Sequence, residues 1–135
     1  MIVLDCNAAV NMAQGTSDGD SLRLLIEPGE VVLSSELLFI EAASAFSKYV
    51  RAELMDNAEA MTLMRDAVAL INSFTPIHEN YIEAYHEALR LKHSVYDMLY
   101  LTLARRNGAT LVTLDEKLMH LCEDHGVDCI HIFDC

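Results

Sequence analysis

Positive charge is scarce in this chain. Nine lysines and arginines face 21 aspartates and glutamates, for a net charge of −12. No basic run exists, so the footprint that most nucleic-acid binders carry is missing. The excess acid either keeps the surface soluble or gathers in part around a cation. Long apolar runs are also lacking. None approaches the ~18 residues of a membrane helix. The N-terminus has neither a basic n-region nor a small-residue cleavage site, so no signal peptide is expected. These absences predict a cytoplasmic protein. Internal repeats, low-complexity tracts and linkers are absent as well, and 135 residues fit one domain over 1–135. A chain of that size buries roughly two-thirds of its unfolded surface, enough for a core without staples.

Cysteine is sparse too. Cys6, Cys122, Cys129 and Cys135 have no disulfide-framework spacing and no C-x-x-C pair. A cytosolic chain keeps such thiols reduced. His120, Cys122, His125, Cys129, His131 and Cys135 lie within one C-terminal stretch and are zinc-ligand types. Scattered over a helix and a tail, they fit ordinary buried or surface roles better than a zinc site.

What is present alternates between strand and helix patterns. Met1 to Leu4 form a short apolar run ending on Asp5, as a buried parallel strand does. Asn7 is placed to cap a short helix over Ala8 to Ala13, and the polar stretch from Gln14 to Gly19 reads as a mobile loop. Ser21 to Ile26 is helical and Glu30 to Leu33 a strand. Ser34 or Ser35 starts a long helix to about Leu54, in which Glu41, Ser44, Ala45 and Lys48 share one stripe. Asp56 opens another helix, to about Ser73. Phe74 to Ile77 is extended, with Pro76 suited to an edge strand. Helices follow over Glu79 to Lys92 and from Ser94, whose capping-box pattern places Asp97 in the first turn and Tyr96, Leu99, Tyr100 and Leu103 on a core face. Thr110 to Leu114 is a strand ending on Asp115; Glu116 to Glu123 is helical, and Asp128 to Ile132 is a last strand. The order implies an α/β fold with a mainly parallel sheet of about five strands between helical layers.

Ligands of open α/β sheets bind outside the carboxyl ends of the strands. Asp5 and Asp115 stand at such ends. Asp97 begins the helix running back into the Asp115 strand, and Glu41 lies in the early turns of the helix after the second strand. Four acids can thus reach one rim. Two carboxylates about 4 Å apart repel by roughly 4 kcal/mol at an effective dielectric near 20. Four together need protons or a bridging cation, and hard oxygen donors suit Mg²⁺ or Mn²⁺. Such ions bind phosphate oxygens, which points to phosphoryl chemistry. Taken singly, the same acids serve as a turn residue (Asp5), helix-start charges (Glu41, Asp97) and a helix N-cap (Asp115).

These segments resemble the PIN domain, in particular VapC-type toxins of toxin–antitoxin pairs, over nearly the whole chain. Met1-Ile2-Val3-Leu4-Asp5-Cys6-Asn7-Ala8 is similar to the family's opening strand and first acid. Ile40-Glu41-Ala42 resembles its second acidic position. Ser94 to Ala104 resembles its third segment, with Asp97, and Leu111 to Leu118 its fourth, with Asp115. The resemblance implies a PIN-like three-layer α/β/α sandwich and an Mg²⁺- or Mn²⁺-dependent endoribonuclease. Asp5, Glu41, Asp97 and Asp115 would hold metal, and Asn7 and Thr113 would hydrogen-bond the carboxylates or water. It also implies an RNA substrate, a homodimer and a cognate antitoxin. Met55, Met61, Met64 and Phe46 are candidates for the interfaces, although core packing is their commoner use. Lys48 is the preferred phosphate contact, ahead of Arg51, Lys92, His93 and Lys117. Glu116 fits a helix start better than a ligand, and Glu36 lies too far before Glu41.

Other classes compete. A PIN-like fold without catalysis, acting as a binding module, suits the acidic surface. A haloacid-dehalogenase-like phosphatase needs a second Asp two residues after the first, where Asn7 stands. A receiver domain needs an early acidic pair and a mid-chain strand-end Asp, and neither is present.

Overall fold

A computed structural model describes residues 1–134; Cys135 lies outside them. Strand β1 (Ile2–Leu4) is buried at every position, as a central strand of a parallel sheet is. It pairs with β2 (Val32–Ser35) on one side and β4 (Thr110–Val112) on the other. Ile2 is in register with both Val32 and Thr110. The edges are β3 (Ser73–Thr75) and β5 (Cys129–Ile130), giving an all-parallel sheet in the order β3-β2-β1-β4-β5.

The chain fills one half of this sheet and then the other. Helices α1 (Cys6–Gln14) and α2 (Ser17–Leu25) lead to β2; α3 (Leu37–Arg51) and α4 (Asn57–Ala69) lead to β3. A 3₁₀ turn at Ile77–Glu79, α5 (Tyr81–Leu91) and α6 (Val95–Asn107) then carry it past β1 to β4, and α7 (Glu116–Asp124) leads to β5. Right-handed crossovers in opposite directions put the two helix sets on opposite faces. The packing agrees: α1 touches α2, α3 and α4, whereas α5 pairs with α6, which lies on β1, β2 and β4. This is the expected α/β/α sandwich of five strands. Its direction reverses between β1 and β4, and that switch point is where open sheets form their crevice.

The densest part of the core is α6. Its seven residues from Met98 to Ala104 are all buried, because the helix lies between the sheet and α5 and has no solvent face along that stretch. The expected one-sided core face is therefore too narrow, and it wrongly includes Tyr96, which is 57% exposed.

Several local expectations shift. Asn7 does not cap α1. Asp5 does, its Oδ1 accepting the Ala8 N–H at 2.8 Å, because it is the single residue between the strand and the helix. The Gln14–Gly19 stretch is not a long loop: Thr16 caps α2, accepting the Gly19 N–H at 3.1 Å. A Cβ on Gly19 would lie 2.2 Å from the Asn11 carbonyl oxygen, so only glycine allows α1 and α2 to approach this closely. Ser34 and Ser35 are the last residues of β2, and of the two it is Ser35 whose hydroxyl serves the start of α3. Ser34 Oγ donates to the Leu4 carbonyl at 2.7 Å, and Ser35 Oγ accepts the Leu37 N–H at 3.1 Å. β3 is an edge strand, as Pro76 suggested, but ends at Thr75 just before it. Phe46 is 1% exposed, so it is core and not available to a partner.

Candidate metal centre

The acid at the end of β1 is held at both oxygens. Besides accepting from Ala8, Asp5 accepts the Thr113 hydroxyl at Oδ2, 2.5 Å away. Thr113 Oγ1 in turn accepts the Asp115 N–H at 2.9 Å. One buried hydroxyl thus ties the ends of β1 and β4 together across the switch point. Asp115 then caps α7, its Oδ1 accepting the Leu118 N–H at 3.0 Å. Capping engages only one of its oxygens and leaves the other without a protein donor among the described residues.

The other two acids arrive on helices. Glu41, in the second turn of α3, accepts the Tyr100 hydroxyl at Oε1, 2.7 Å away. Asp97, in the first turn of α6, pairs through Oδ2 with His93 Nε2 at 2.7 Å. Ser94 does cap α6, accepting the Tyr96 N–H at 3.2 Å, but Asp97 turns to His93 instead of closing a reciprocal box. Asp5, Glu41, Asp97 and Asp115 line one cavity of about 80 Å³ together with Cys6, Asn7 and Tyr100.

The electrostatics follow from burial without counter-charge. Asp5 is pushed up to about 7, mainly by burial; the bonds from Thr113 and Ala8 oppose this, and Asp97 and Glu41 add to it. Burial also raises Glu41, with Tyr100 opposing and Asp97 adding. Burial raises Asp97, with His93 opposing and Asp115 adding. The Cys6 thiol is pushed up to about 12 by burial and by the charges of Glu41 and Asp5, so in the metal-free site it is held as a neutral thiol.

The donor set fits a hard divalent cation. It supplies oxygen, is net negative, and has no lysine or arginine among the lining residues. The bonds above leave Glu41 Oε2, Asp97 Oδ1 and Asp115 Oδ2 without a protein donor among the described residues. As the side chains stand, no three or more His, Cys, Asp or Glu among the described residues form a ready metal cluster. The acids line the cavity wall without closing on one point.

The remaining expectations divide. Thr113 bonds an acid directly. Asn7 lines the cavity but is exposed, and its Oδ1 accepts Asn11 Nδ2 at 2.9 Å rather than bonding an acid. Lys48 lies outside the cavity, on a neighbouring groove that includes Glu41. Glu116 is exposed in the first turn of α7. In the C-terminal Cys/His stretch, His120 and His131 lie near Glu123 and Cys122 is buried; its described residues do not gather into a metal cluster, and Cys135 is outside them. Sequence reasoning missed Tyr100 as a site residue, and it named His93 only as a candidate phosphate contact and not as the partner of Asp97. Tyr100 was assigned wholly to the core, although a buried tyrosine hydroxyl seeks a partner. The i,i+4 spacing of His93 and Asp97 was the available signal for that pair.

Comparison with known proteins agrees with this architecture. The chain is 29% identical over 126 residues to ribonuclease VapC12 of Mycobacterium tuberculosis, covering 93% of each protein. Its fold matches the crystal structure of PAE2754 from Pyrobaculum aerophilum with a TM-score of 0.70 at 22% identity, over 95% of this chain and 89% of that one. It also matches VapBC2 from Rickettsia felis, solved bound to a DNA fragment from its promoter, with a TM-score of 0.71 at 16% identity, over 98% and 100%. VapC20 of Mycobacterium tuberculosis, a sarcin-ricin loop cleaving toxin, matches with a TM-score of 0.64 at 15% identity, over 90% and 95%. The PIN domain pattern itself matches residues 2–124, and with nearly the whole chain covered this protein belongs to the PIN domain family.

Proposed function

We propose that this protein is a divalent-metal-dependent endoribonuclease and the toxin of a toxin–antitoxin pair. One observation carries the reading. Acids from four separate segments line one small cavity, and no lysine or arginine neutralises them. Folding such a set together is unfavourable unless protons or a cation join it, and an all-oxygen donor set suits the cation. The ribonuclease name of the VapC12 relative and the toxin–antitoxin complex among the structural neighbours support the same reading.

Asp5, Glu41, Asp97 and Asp115 would hold Mg²⁺ or Mn²⁺. Bound there, the ion supplies an activated water and stabilises charge on the phosphodiester in the transition state. The chain's own contribution is to set the acids in place. Thr113 fixes Asp5 and orders the backbone of Asp115; Tyr100 holds Glu41; His93 holds Asp97. Such outer partners orient ligands and keep them basic. An antitoxin and a second copy of the chain are the proposed protein partners, with the cytoplasm as compartment. Among the described residues, no helix is long and apolar enough to cross a membrane.

The net charge of −12 favours a second reading, a PIN-fold module that binds a partner without cutting RNA. Calorimetric titration with Mn²⁺ separates the two. The nuclease reading expects binding to the wild type that weakens about 100-fold or more in Asp97→Asn, since loss of even an outer partner costs ~10–100-fold. A folded wild type that binds no Mn²⁺ would reject that reading in favour of the silent module.

A further inference from the structure

The acid cavity is too small to be the whole substrate site. About 80 Å³ holds an ion with its waters, each of which occupies roughly 30 Å³. Directly beside it, with Glu41 as the shared wall, lies an open groove of about 360 Å³. That is at the lower end of the ~300–1,000 Å³ of ligand pockets. It is lined by Tyr96 and Ile40, which are 57% and 68% exposed. The small residues Ser44 and Ala45 line it too, as does Lys48, one turn beyond them on α3.

Two features of this groove suit a ligand. Tyr96, the second residue of α6 and the neighbour of Asp97, is exposed instead of joining the core of its own helix. Lys48 is the one base among the residues that line the groove; like Arg23, Arg51, Arg65, Lys92 and Lys117, it takes part in none of the ion pairs formed among the described residues. Arg90, Arg105 and Arg106 are all engaged by glutamates.

We infer that this groove is a subsite for the nucleotide next to the scissile phosphate in single-stranded RNA. The Tyr96 ring stacks on the base, and Lys48 contacts the adjoining phosphate. Stacking on an exposed aromatic needs an unpaired base and tolerates any sequence. The single lysine offsets part of the repulsion from the acidic surface. The inference rests on the nuclease reading of the adjoining acids and names what selects their substrate.

The test is fluorescence anisotropy of a labelled random-sequence RNA octamer, with EDTA present so that nothing is cut. Wild type should bind the single strand at least tenfold tighter than the same RNA annealed to its complement. Tyr96→Ala should weaken binding about tenfold or more, while Tyr96→Phe stays within twofold, because stacking needs the ring and not the hydroxyl. Lys48→Ala should lower the slope of log affinity against log salt by about 0.7, the value for one single-strand phosphate contact. Tyr96 is exposed, so its variants fold, and circular dichroism checks this.

The subsite is rejected if Tyr96→Ala binds the octamer within twofold of wild type, if duplex binds equally well, or if wild type binds no RNA. It is also rejected if Tyr96→Ala leaves RNA binding intact but dissociates an oligomer in light scattering, since a second copy then covers the groove. Mn²⁺ calorimetry on the wild type stays independent of these outcomes. Metal bound without RNA selectivity removes the subsite and keeps the nuclease; no metal bound removes the nuclease reading itself.

Discussion

Two acidic regions of this molecule are built in opposite ways. On the α5–α6 face, Glu87 receives Arg90 Nε and Nη2 at 3.0 and 2.7 Å and Arg105 Nη1 at 3.2 Å. Glu83 takes Arg105 Nη2 at 2.6 Å. The bonds from Arg90 are the main reason the Glu87 carboxyl is held down at about 2. At the switch point between β1 and β4 the carboxyls of Asp5, Glu41 and Asp97 are all shifted upward. The same chain that neutralises one set of acids with arginine leaves the other to hydroxyls, a backbone N–H and one histidine. Hydroxyls orient a carboxylate without cancelling its charge. On the proposed reading, that difference separates an acid that joins two helices from acids kept for an external cation.

Substitution should give opposite signs in the two regions. Asp97→Asn is expected to cost about 100-fold or more in Mn²⁺ affinity and to remove RNA cleavage. It should also raise the stability of the metal-free protein, since it deletes a repelling charge; urea unfolding reads this. Glu87→Gln should leave Mn²⁺ binding alone and lower stability by about 1–2 kcal/mol, because two arginines lose a charged acceptor. If both variants lose stability and neither changes Mn²⁺ affinity, the contrast between the regions is only structural.

Acidity sharpens the comparison next. Asp5, at about 7 when folded against 3.8 for the free side chain, binds its proton more tightly in the folded state. Its contribution to the stability of the metal-free protein is therefore full below pH 4 and is lost as pH rises through 7, on the order of 4 kcal/mol. Glu87, at about 2 against 4.5, works the other way: its contribution is present above pH 4.5 and lost as pH falls through 2. Metal-free unfolding followed from pH 2 to 9 should thus peak near pH 4–5. Saturating Mn²⁺ should flatten the alkaline limb, because the bound cation displaces the proton. An alkaline limb unchanged by Mn²⁺ would place the cation elsewhere.

The two regions were not equally legible in the sequence. The acids Asp5 and Asp115 stood out because short apolar runs end on them, and strand ends on one sheet edge must meet. Glu41 and Asp97 followed from their places in the early turns of helices leaving or approaching that edge. The cap at Asp5 was missed because a side chain can cap a helix and face a cleft at once, which spacing does not reveal. Tyr100 and Glu41 are 59 positions apart, and Thr113 and Asp5 are 108 apart. Such contacts depend on tertiary packing, and periodicity carries no record of them. Thr113 was found only through family resemblance. The arginine network of α5 and α6 went unread for the same reason: apart from the i,i+3 pair of Glu87 and Arg90, its bonds cross between helices.

The hydroxyls that set the acids in place give the smaller effects. Thr113→Val removes the donor to Asp5 and the acceptor of the Asp115 N–H at a fully buried position. It should destabilise by about 2 kcal/mol and weaken Mn²⁺ binding about tenfold. Tyr100→Phe is milder, since the ring that fills the core stays and only the bond to Glu41 is lost. Unfolding should shift by about 1 kcal/mol or less. The informative readout is Mn²⁺ affinity against pH. Without the Tyr100 hydroxyl, Glu41 loses the bond that opposes its upward shift, so its proton is held more tightly. The pH at which Mn²⁺ binding reaches half its maximum should therefore move upward in the variant, with the affinity at high pH reduced about tenfold or less. A tyrosine that only packs the core would leave that midpoint where it is, and Glu41 would then owe its place to α3 alone.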